Sequence, residues 1–440
     1  MEQMQNPARA LALQILNRTD SQGQYTNLAL DAALKKSNLS APDKALVTIL
    51  VYGVTERRLT LDYVADALSS RPMESLDGTV RNLLRMGLYQ LRYLDRIPAH
   101  AAVSETVSLA PKRARGFVNA VLREYTRSGR DLAFPDRGTD LYRYLSVTYS
   151  IPVPLCKKLV DIFGTERAES VMQAFGHVPP VTLRVNTLKI SPEQMTSELC
   201  ALGYRVHGFD ALPTALRVSD FVPSGSAQLA LGQAFVQDLA SQICVEVLDA
   251  RPGDFVIDAC ACPGSKTFGT AIKMQNSGKI LACDLHQSKL SLITSGAERL
   301  GIDIIDVCER DARAHDPALR TKADRVLCDV PCSGFGVLAK KPEIRYKDLS
   351  DAAALPDIQY AILENCCRYV KDGGVLVYST CTIFPEENQQ NVARFLSAHP
   401  EFAPEDFCVG QIRSTDGMLT LTPDEHGTDG FFIAKLRKKN

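Results

Sequence analysis

Two rhythms of apolar and polar positions run along this chain. Over residues 1 to 130 the apolar positions recur at helical spacing. The clearest stretch is Val80-Arg-Asn-Leu-Leu-Arg-Met-Gly-Leu-Tyr-Gln-Leu-Arg-Tyr-Leu94, apolar at 80, 83, 84, 88, 91 and 94, with Arg81, Arg85 and Arg92 mostly off that face. Pro98 interrupts it, a second helix begins at Ala101 and ends near Pro111, and a third covers Gly116 to Leu122. Residues 131–150, with Pro135 and Gly138, read as a linker. From 151 to 228 the signals mix. A helix over Val153 to Phe163 precedes a β-rich run from Val181 to Leu188; a helix from Ser191, closed by Gly203, and a short strand follow. That is a small α+β module.

From 229 to 440 strands and helices alternate. Phe255–Asp258, Lys279–Asp284, Arg325–Asp329 and Gly374–Ser379 are short apolar runs, and helical stretches such as Leu290 to Leu300 and Leu355 to Val370 lie between them. This pattern predicts a buried, mostly parallel sheet with helices on both faces. The expected fold is therefore multi-domain: an all-α N-terminal domain, the α+β module, and an α/β Rossmann-like domain. Ligands of such sheets sit at the carboxyl ends of strands, where Asp258, Asp284 and Asp329 fall.

Composition narrows the class. The 440 residues are 45% hydrophobic and 23% charged, as in ordinary globular proteins. No apolar run approaches the roughly 18 residues of a membrane span, and Met1-Glu-Gln-Met-Gln5 is no secretory start. Thirteen cysteines without a C-x-x-C pair point to reduced thiols in a cytoplasmic protein and against structural zinc. The net charge of -1 hides an asymmetry: residues 81–130 hold ten Lys or Arg against three Asp or Glu. A basic helical segment suggests a polyanionic partner, although a solvated helix face has the same composition.

The candidate chemistry begins at Asp258-Ala-Cys-Ala-Cys-Pro-Gly-Ser-Lys266, between a strand and a helix. Small residues and Gly264 let the backbone approach a ligand. A phosphate-binding P-loop would need Gly at 260 and 265, where Cys260 and Ser265 stand, and no G-x-G-x-x-G is present. A nucleoside cofactor without pyrophosphate fits better, with Asp284 accepting from ribose hydroxyls and Asp311 from an adenine amino group. The same acids could instead cap helices and turns.

Two further loops carry thiols: Asp329-Val-Pro-Cys332-Ser-Gly-Phe-Gly336 and Ser379-Thr-Cys381-Thr-Ile383. Loops after neighbouring parallel strands converge on one edge, so Cys332 and Cys381 could face one pocket with Asp329. Such a set suits alkylation of an unreactive aromatic carbon: a thiolate adds to cytosine C6, an acid beside N3 assists, and C5 becomes nucleophilic. A free thiol near pKa 8.5 needs a depressing field, for which Lys266 is one candidate. Cys260, Cys262, Cys283, Cys328, Cys366 and Cys367 read as packing groups.

These three motifs resemble the cofactor loop and the paired Pro-Cys and Thr-Cys motifs of the NOL1/NOP2/Sun family of RNA cytosine-C5 methyltransferases. The resemblance implies S-adenosylmethionine as cofactor, held by Cys260, Ala261, Cys262, Pro263, Gly264, Ser265 and Lys266 with Asp284, Asp311 and Asp329. It also implies Cys381 as nucleophile, Cys332 as the thiol that assists release, and Asp329 at cytosine N3. The family loop usually reads Cys-Ala-Ala-Pro-Gly-Gly-Lys, so Cys262 and Ser265 are departures. Asp429-Gly-Phe-Phe432 is similar to the family's terminal strand. Arg85 to Val107 resembles the RNA-binding fold of the antitermination factor NusB. Together these likenesses imply methylation of one cytosine in 16S rRNA, naked or partly assembled, by a monomer without metal or membrane. A tRNA cytosine-C5 methyltransferase and a non-catalytic RNA-binding or antitermination factor are the alternatives.

Overall fold

The computed structural model describes residues 7–22, 26–128, 132–177 and 179–440. The start Met1–Gln5 and the expected domain boundary at 130/131 lie outside them. Contacts divide the chain into two compact units, residues 1–177 with 338–347, and residues 178–337 with 348–440.

The first unit is helical. Its helices are α1 (Pro7–Gln22), α2 (Thr26–Lys36), α3 (Ala41–Glu56), α4 (Arg58–Leu68), α5 (Gly78–Tyr93), α6 (Ala99–Ser108), α7 (Arg115–Ser128), α8 (Leu141–Tyr149), α9 (Val153–Phe163) and α10 (Thr165–Ala174). Helix α5 starts where the Asp77 carboxylate accepts from the Thr79 amide and buries the predicted face, Val80, Leu83, Leu84 and Leu88. That face packs into one core with Leu50, Val51, Leu61 and Leu122.

Three expectations are affected here. Residues 141–149, read as linker, form α8, because Asp140 caps Arg143 N and Leu145 is buried, whereas 132–140 and Ser150 lie outside any helix or strand. Helices α9 and α10, read with the α+β module, make their contacts within the first unit, which leaves the module's boundary at 151 open. Arg85, counted among the basic residues available to a polyanion, is 3% exposed. Its guanidinium is bidentate to Asp62 at 2.6 and 2.8 Å and also reaches Asp20 and Asn82. A buried cation needs such partners, so Arg85 holds the bundle together. Arg96, Lys112 and Arg113 remain exposed.

The segment Leu338–Lys347 completes this unit. Arg345 is 1% exposed and donates to the carbonyls of Glu56, Tyr149, Ser150 and Leu338. It thus covers the carbonyl ends of α3 and α8, where the helix dipoles are negative.

The second unit opens with a four-stranded antiparallel sheet, β1 (Val181–Val185), β2 (Arg205–Gly208), β3 (Ala215–Ser219) and β4 (Ala234–Val236), ordered β2-β3-β1-β4. Helix α11 (Pro192–Ala201) packs Met195 and Leu199 on Leu183, Val185 and Val218. Strand β4 lies beyond residue 228, past the expected end of the module; three residues are too few to show an alternating pattern. A short helix α12 (Ala227–Ala230) precedes it.

The large sheet follows. In chain order come α13 (Leu239–Leu248), β5 (Phe255–Asp258), α14 (Ser265–Lys273), β6 (Lys279–Asp284), α15 (Gln287–Leu300), β7 (Ile305–Glu309), β8 (Ala323–Asp329) and α16 (Leu355–Cys366). After them come β9 (Val370–Thr380), α17 (Gln389–Ala398), β10 (Phe402–Pro404), β11 (Cys408–Val409), β12 (Ile412–Arg413), β13 (Met418–Leu421), α18 (Pro423–His426) and β14 (Phe431–Lys438). The sheet order is β10-β14-β9-β8-β5-β6-β7, with β13 also on β14. Strands β5 to β9 are parallel, and β14 is antiparallel to β9. Strands β6 and β7 extend to one side of β5 and β8 lands on the other, so the crevice of this sheet lies at the carboxyl ends of β5 and β8. One helical expectation was too long: α16 ends at Cys366, and Val370 already belongs to β9. No helix among the described residues is long and apolar enough to cross a membrane.

Candidate active site

The crevice edge gathers the three motifs. After β5 the chain turns through a cis Cys262–Pro263 bond and enters α14 at Gly264, whose φ is +108°. A side chain is strained there, and a Cβ would also lie 2.5 Å from the Phe268 ring. Asp284, at the end of β6, accepts from the Cys262 amide at 3.2 Å and the His286 amide at 3.1 Å. It therefore holds the loop closed, and two of its roughly four lone-pair sites remain for a ligand. Gln237 supports the next turn by donating to Ser265 O at 3.0 Å.

Asp311 is not a free acceptor. Arg313 chelates it through Nε and Nη2, the latter at 2.7 Å, and the Arg313 amide adds a third donor. The hydrogen bonds from Arg313 hold its carboxyl below the usual range. An adenine amino group would have to share this carboxylate with Arg313.

Asp258 is 2% exposed; Thr267 Oγ1 donates to its Oδ2 at 2.7 Å, while Oδ1 has no side-chain partner. Burial pushes its pKa up to about 7. Because the folded value exceeds the unfolded one, near 3.9, this carboxyl favours folding at low pH, and stability is lost as pH rises through about 7. Asp258→Asn is expected to remove that loss. The variant-minus-wild-type stability difference, measured by urea unfolding, should grow between pH 4 and 7 by the order of 4 kcal/mol at 1.36 kcal/mol per unit. A difference that is flat with pH would contradict this account.

At the end of β8, Asp329 Oδ2 accepts from Lys266 Nζ at 2.7 Å and Oδ1 from Ser379 Oγ at 2.8 Å. Burial opposes the charge of Lys266, but Asp329 more than offsets it and holds the ammonium above the usual lysine range. The same ammonium lies 5.0 Å from the Phe431 ring centroid and feels the Cys381 thiol.

Cys332 and Cys381 meet: their sulfurs are 3.1 Å apart, and the Cys381 amide points at the Cys332 sulfur at 3.3 Å. The hydrogen bond with Cys381, then burial and the nearby Glu387 carboxylate, raise the Cys332 thiol well above its usual range. The loops cross closely at Gly336, whose amide donates to Cys381 O at 2.9 Å; a Cβ there would lie 1.9 Å from Gly430 O. Asp429-Gly-Phe-Phe432 thus does enter the terminal strand, beside the thiol loops.

One set of residues escaped the sequence reading. Glu387 is 2% exposed and accepts from the Ser333 amide and hydroxyl at 2.9 and 2.5 Å and from Gln359 Nε2 at 2.8 Å. Ser333 Oγ is also 2.9 Å from Thr382 Oγ1, and Asn388 Nδ2 donates to Thr382 O. This network braces both thiol loops from below. Its sole sequence signal is the polar run Glu386-Glu-Asn-Gln-Gln390 just after the second thiol. The cysteines read as packing behave so: Cys283, Cys328, Cys366 and Cys367 are buried, and Cys260 and Cys262 are partly buried against the cores.

Residues 245–437 match the model of the 16S rRNA methyltransferase RsmB/F family, residues 6–127 that of the NusB family, and residues 151–224 a ferredoxin-like domain of RsmF/B-like methyltransferases. The chain is 37% identical over 443 residues to a probable ribosomal RNA small subunit methyltransferase B of Bacillus subtilis, covering 98% of both chains. It is 33% identical over 442 residues to the ribosomal RNA small subunit methyltransferase B of Escherichia coli SMS-3-5, covering 99% of both. Among solved structures, PH0851 is similar with a TM-score of 0.81 at 27% identity, covering 98% of this chain and 99% of that one. A methyltransferase homolog from Pyrococcus horikoshii is similar with a TM-score of 0.59 at 27% identity, covering 67% and 97%.

Proposed function

The chain belongs to the RsmB/F family of S-adenosylmethionine-dependent rRNA methyltransferases, and from that premise we propose that it methylates C5 of a cytosine in 16S rRNA, with Cys381 as the nucleophile. The observation that carries this reading is the thiol pair, two sulfurs 3.1 Å apart at the ends of adjacent strands beside an acid held by a lysine. Neither RNA binding nor methylation of an already nucleophilic nitrogen calls for two thiols.

Cytosine C5 is a poor nucleophile until a group adds at C6. The Cys381 sulfur forms that bond, N3 takes a proton from the Lys266–Asp329 pair, and the electron pair moves to C5. S-adenosylmethionine supplies an electrophilic methyl group when bound. The donor set fits such a cofactor: Asp284 keeps free lone pairs, and the buried Asp258 Oδ1 has no side-chain partner. After C5 takes the methyl group, a base removes the C5 proton, the C6–S bond breaks, and the N3 proton returns to the acid pair.

Cys332 has two tasks in this cycle. Its raised pKa keeps it protonated while Cys381 ionises, so its S–H donates to the Cys381 thiolate and the pair holds one negative charge. Once Cys381 is bonded to carbon, that partner charge is gone. Cys332 then loses its proton to solvent and takes the one on C5. The target base must leave its stack to reach the crevice. The exposed Arg96, Lys112 and Arg113 would bind phosphates without choosing sequence.

The test is methyl transfer from labelled S-adenosylmethionine to purified 16S rRNA and, in parallel, to bulk tRNA, with product nucleosides separated. The expected outcome is 5-methylcytidine in 16S rRNA alone. Label only in tRNA would keep the chemistry and overturn the substrate. No label in either, with cofactor binding demonstrated, would favour a binding factor.

A further inference from the structure

At the opposite edge of the large sheet, where parallel strands begin, lies a cavity of about 310 Å³. Its walls come from four chain crossings: His315, Arg320 and Thr321 before β8, Cys367 and Arg368 before β9, His399 and Glu401 before β10, and Lys438 at the end of β14. Strand β8 is seven residues long, which puts this cavity about 20 Å from Asp329 at 3.3 Å per residue. Nothing in the proposed methyl transfer uses it.

Three observations mark it as a site for an anion. Most of its charged groups are already matched: Lys438 is 3.0 Å from Asp372, and His399 is 3.1 Å from Glu401. Arg320 and Arg368 are the exceptions, since neither guanidinium makes an ion pair or side-chain hydrogen bond with a described residue. Second, the turn that presents Arg320 is strained. Thr321 has φ of +53°, an outlier for a β-branched residue, and its amide donates to Arg368 O at 2.9 Å. That bond ties the two arginine-bearing turns together. Third, Cys367 at the floor is a packing group: burial pushes its thiol up to about 12, so it adds no negative charge beside the two guanidinium groups.

We propose that this cavity is a second contact for the RNA substrate, in which Arg320 and Arg368 bind phosphodiester groups of a strand passing behind the catalytic sheet. Two guanidinium forks match phosphate oxygens in geometry as well as charge. The inference rests on the reading of the chain as an RNA methyltransferase, and it adds a face remote from the crevice to the surface that RNA covers. Each phosphate neutralised releases counterions, so the contact is legible in the salt dependence of binding.

The experiment compares the full-length protein with R320A/R368A in filter binding to 16S rRNA between 50 and 200 mM salt. The slope of log affinity against log salt is expected to become shallower by about 1.4 to 1.8, at 0.7 to 0.9 per phosphate. KM for RNA should rise, with no change in KM for S-adenosylmethionine. R320K/R368K should recover most of the slope, because charge is retained. If the alanine variant does not fold, R320Q/R368Q is read in the same way. An unchanged slope overturns the proposal. So does a change confined to competition by inorganic phosphate, which would mean a site for a free anion only. A wild-type protein that binds no RNA would sink the parent reading before any substitution is made, and this contact with it.

Discussion

Cys381→Ala is expected to abolish methyl transfer to RNA, by at least about 10⁴-fold, the scale on which an enzyme loses rate when its nucleophile is removed. Cofactor binding should persist, because Cys381 lies after β9 while the cofactor loop follows β5 and is held by Asp284 and Gln237. The alanine also leaves Cys332 without the sulfur 3.1 Å away that raises its pKa. Cys332 should therefore ionise more readily in the variant, yet on the other loop it is misplaced for C6. Single-turnover transfer from labelled S-adenosylmethionine, alongside cofactor titration, checks both parts. Full turnover by Cys381→Ala would remove the nucleophile assignment.

The second large effect is opposite in kind. Cys332→Ala should still add to C6 and methylate C5, then fail to release, because the group that takes the C5 proton is missing. A covalent protein–RNA complex should accumulate, visible as a band that survives denaturing electrophoresis, while turnover falls by about 10² to 10⁴, the usual contribution of a general base. The two variants test the roles jointly. An adduct with Cys381→Ala and none with Cys332→Ala would reverse the two thiols without changing the chemistry. No adduct with either would leave the covalent route without support.

How much of this was legible beforehand differs by element. Strand β5 was read at its observed limits, Phe255–Asp258, and so was the helix Val153–Phe163, because strong local periodicity survives packing. Helix α8 was missed since nine residues between Pro135 and Ser150 look like a linker until Leu145 is seen buried. The convergence of Cys332, Cys381 and Asp329 followed from strand order alone. The expectation for Asp311 did not anticipate Arg313, two residues on, because a carboxylate's partner depends on the turn between them. Glu387 was invisible for a related reason. Exposed acids are common after a strand, and nothing in Glu386-Glu387 says which of the two turns inward.

The amino-acid sequence by itself determined the fold classes, the strand ends that carry the acids, and the two thiol motifs with the family they resemble. The fold classes and strand ends are written in spacing along the chain, a local quantity set by backbone periodicity, whereas the family is carried by the likeness of the motif residues themselves. Tertiary structure alone decided which charges are spent. Arg85 is buried on Asp62 rather than offered to RNA, Lys266 is bound to Asp329, and Arg320 and Arg368 are left without an ion pair among the described residues. It also set the 3.1 Å between two sulfurs that are 49 residues apart in sequence. The physical reason is that desolvation and Coulomb energy depend on the distance and burial of groups brought together from remote parts of the chain, and no local pattern encodes either.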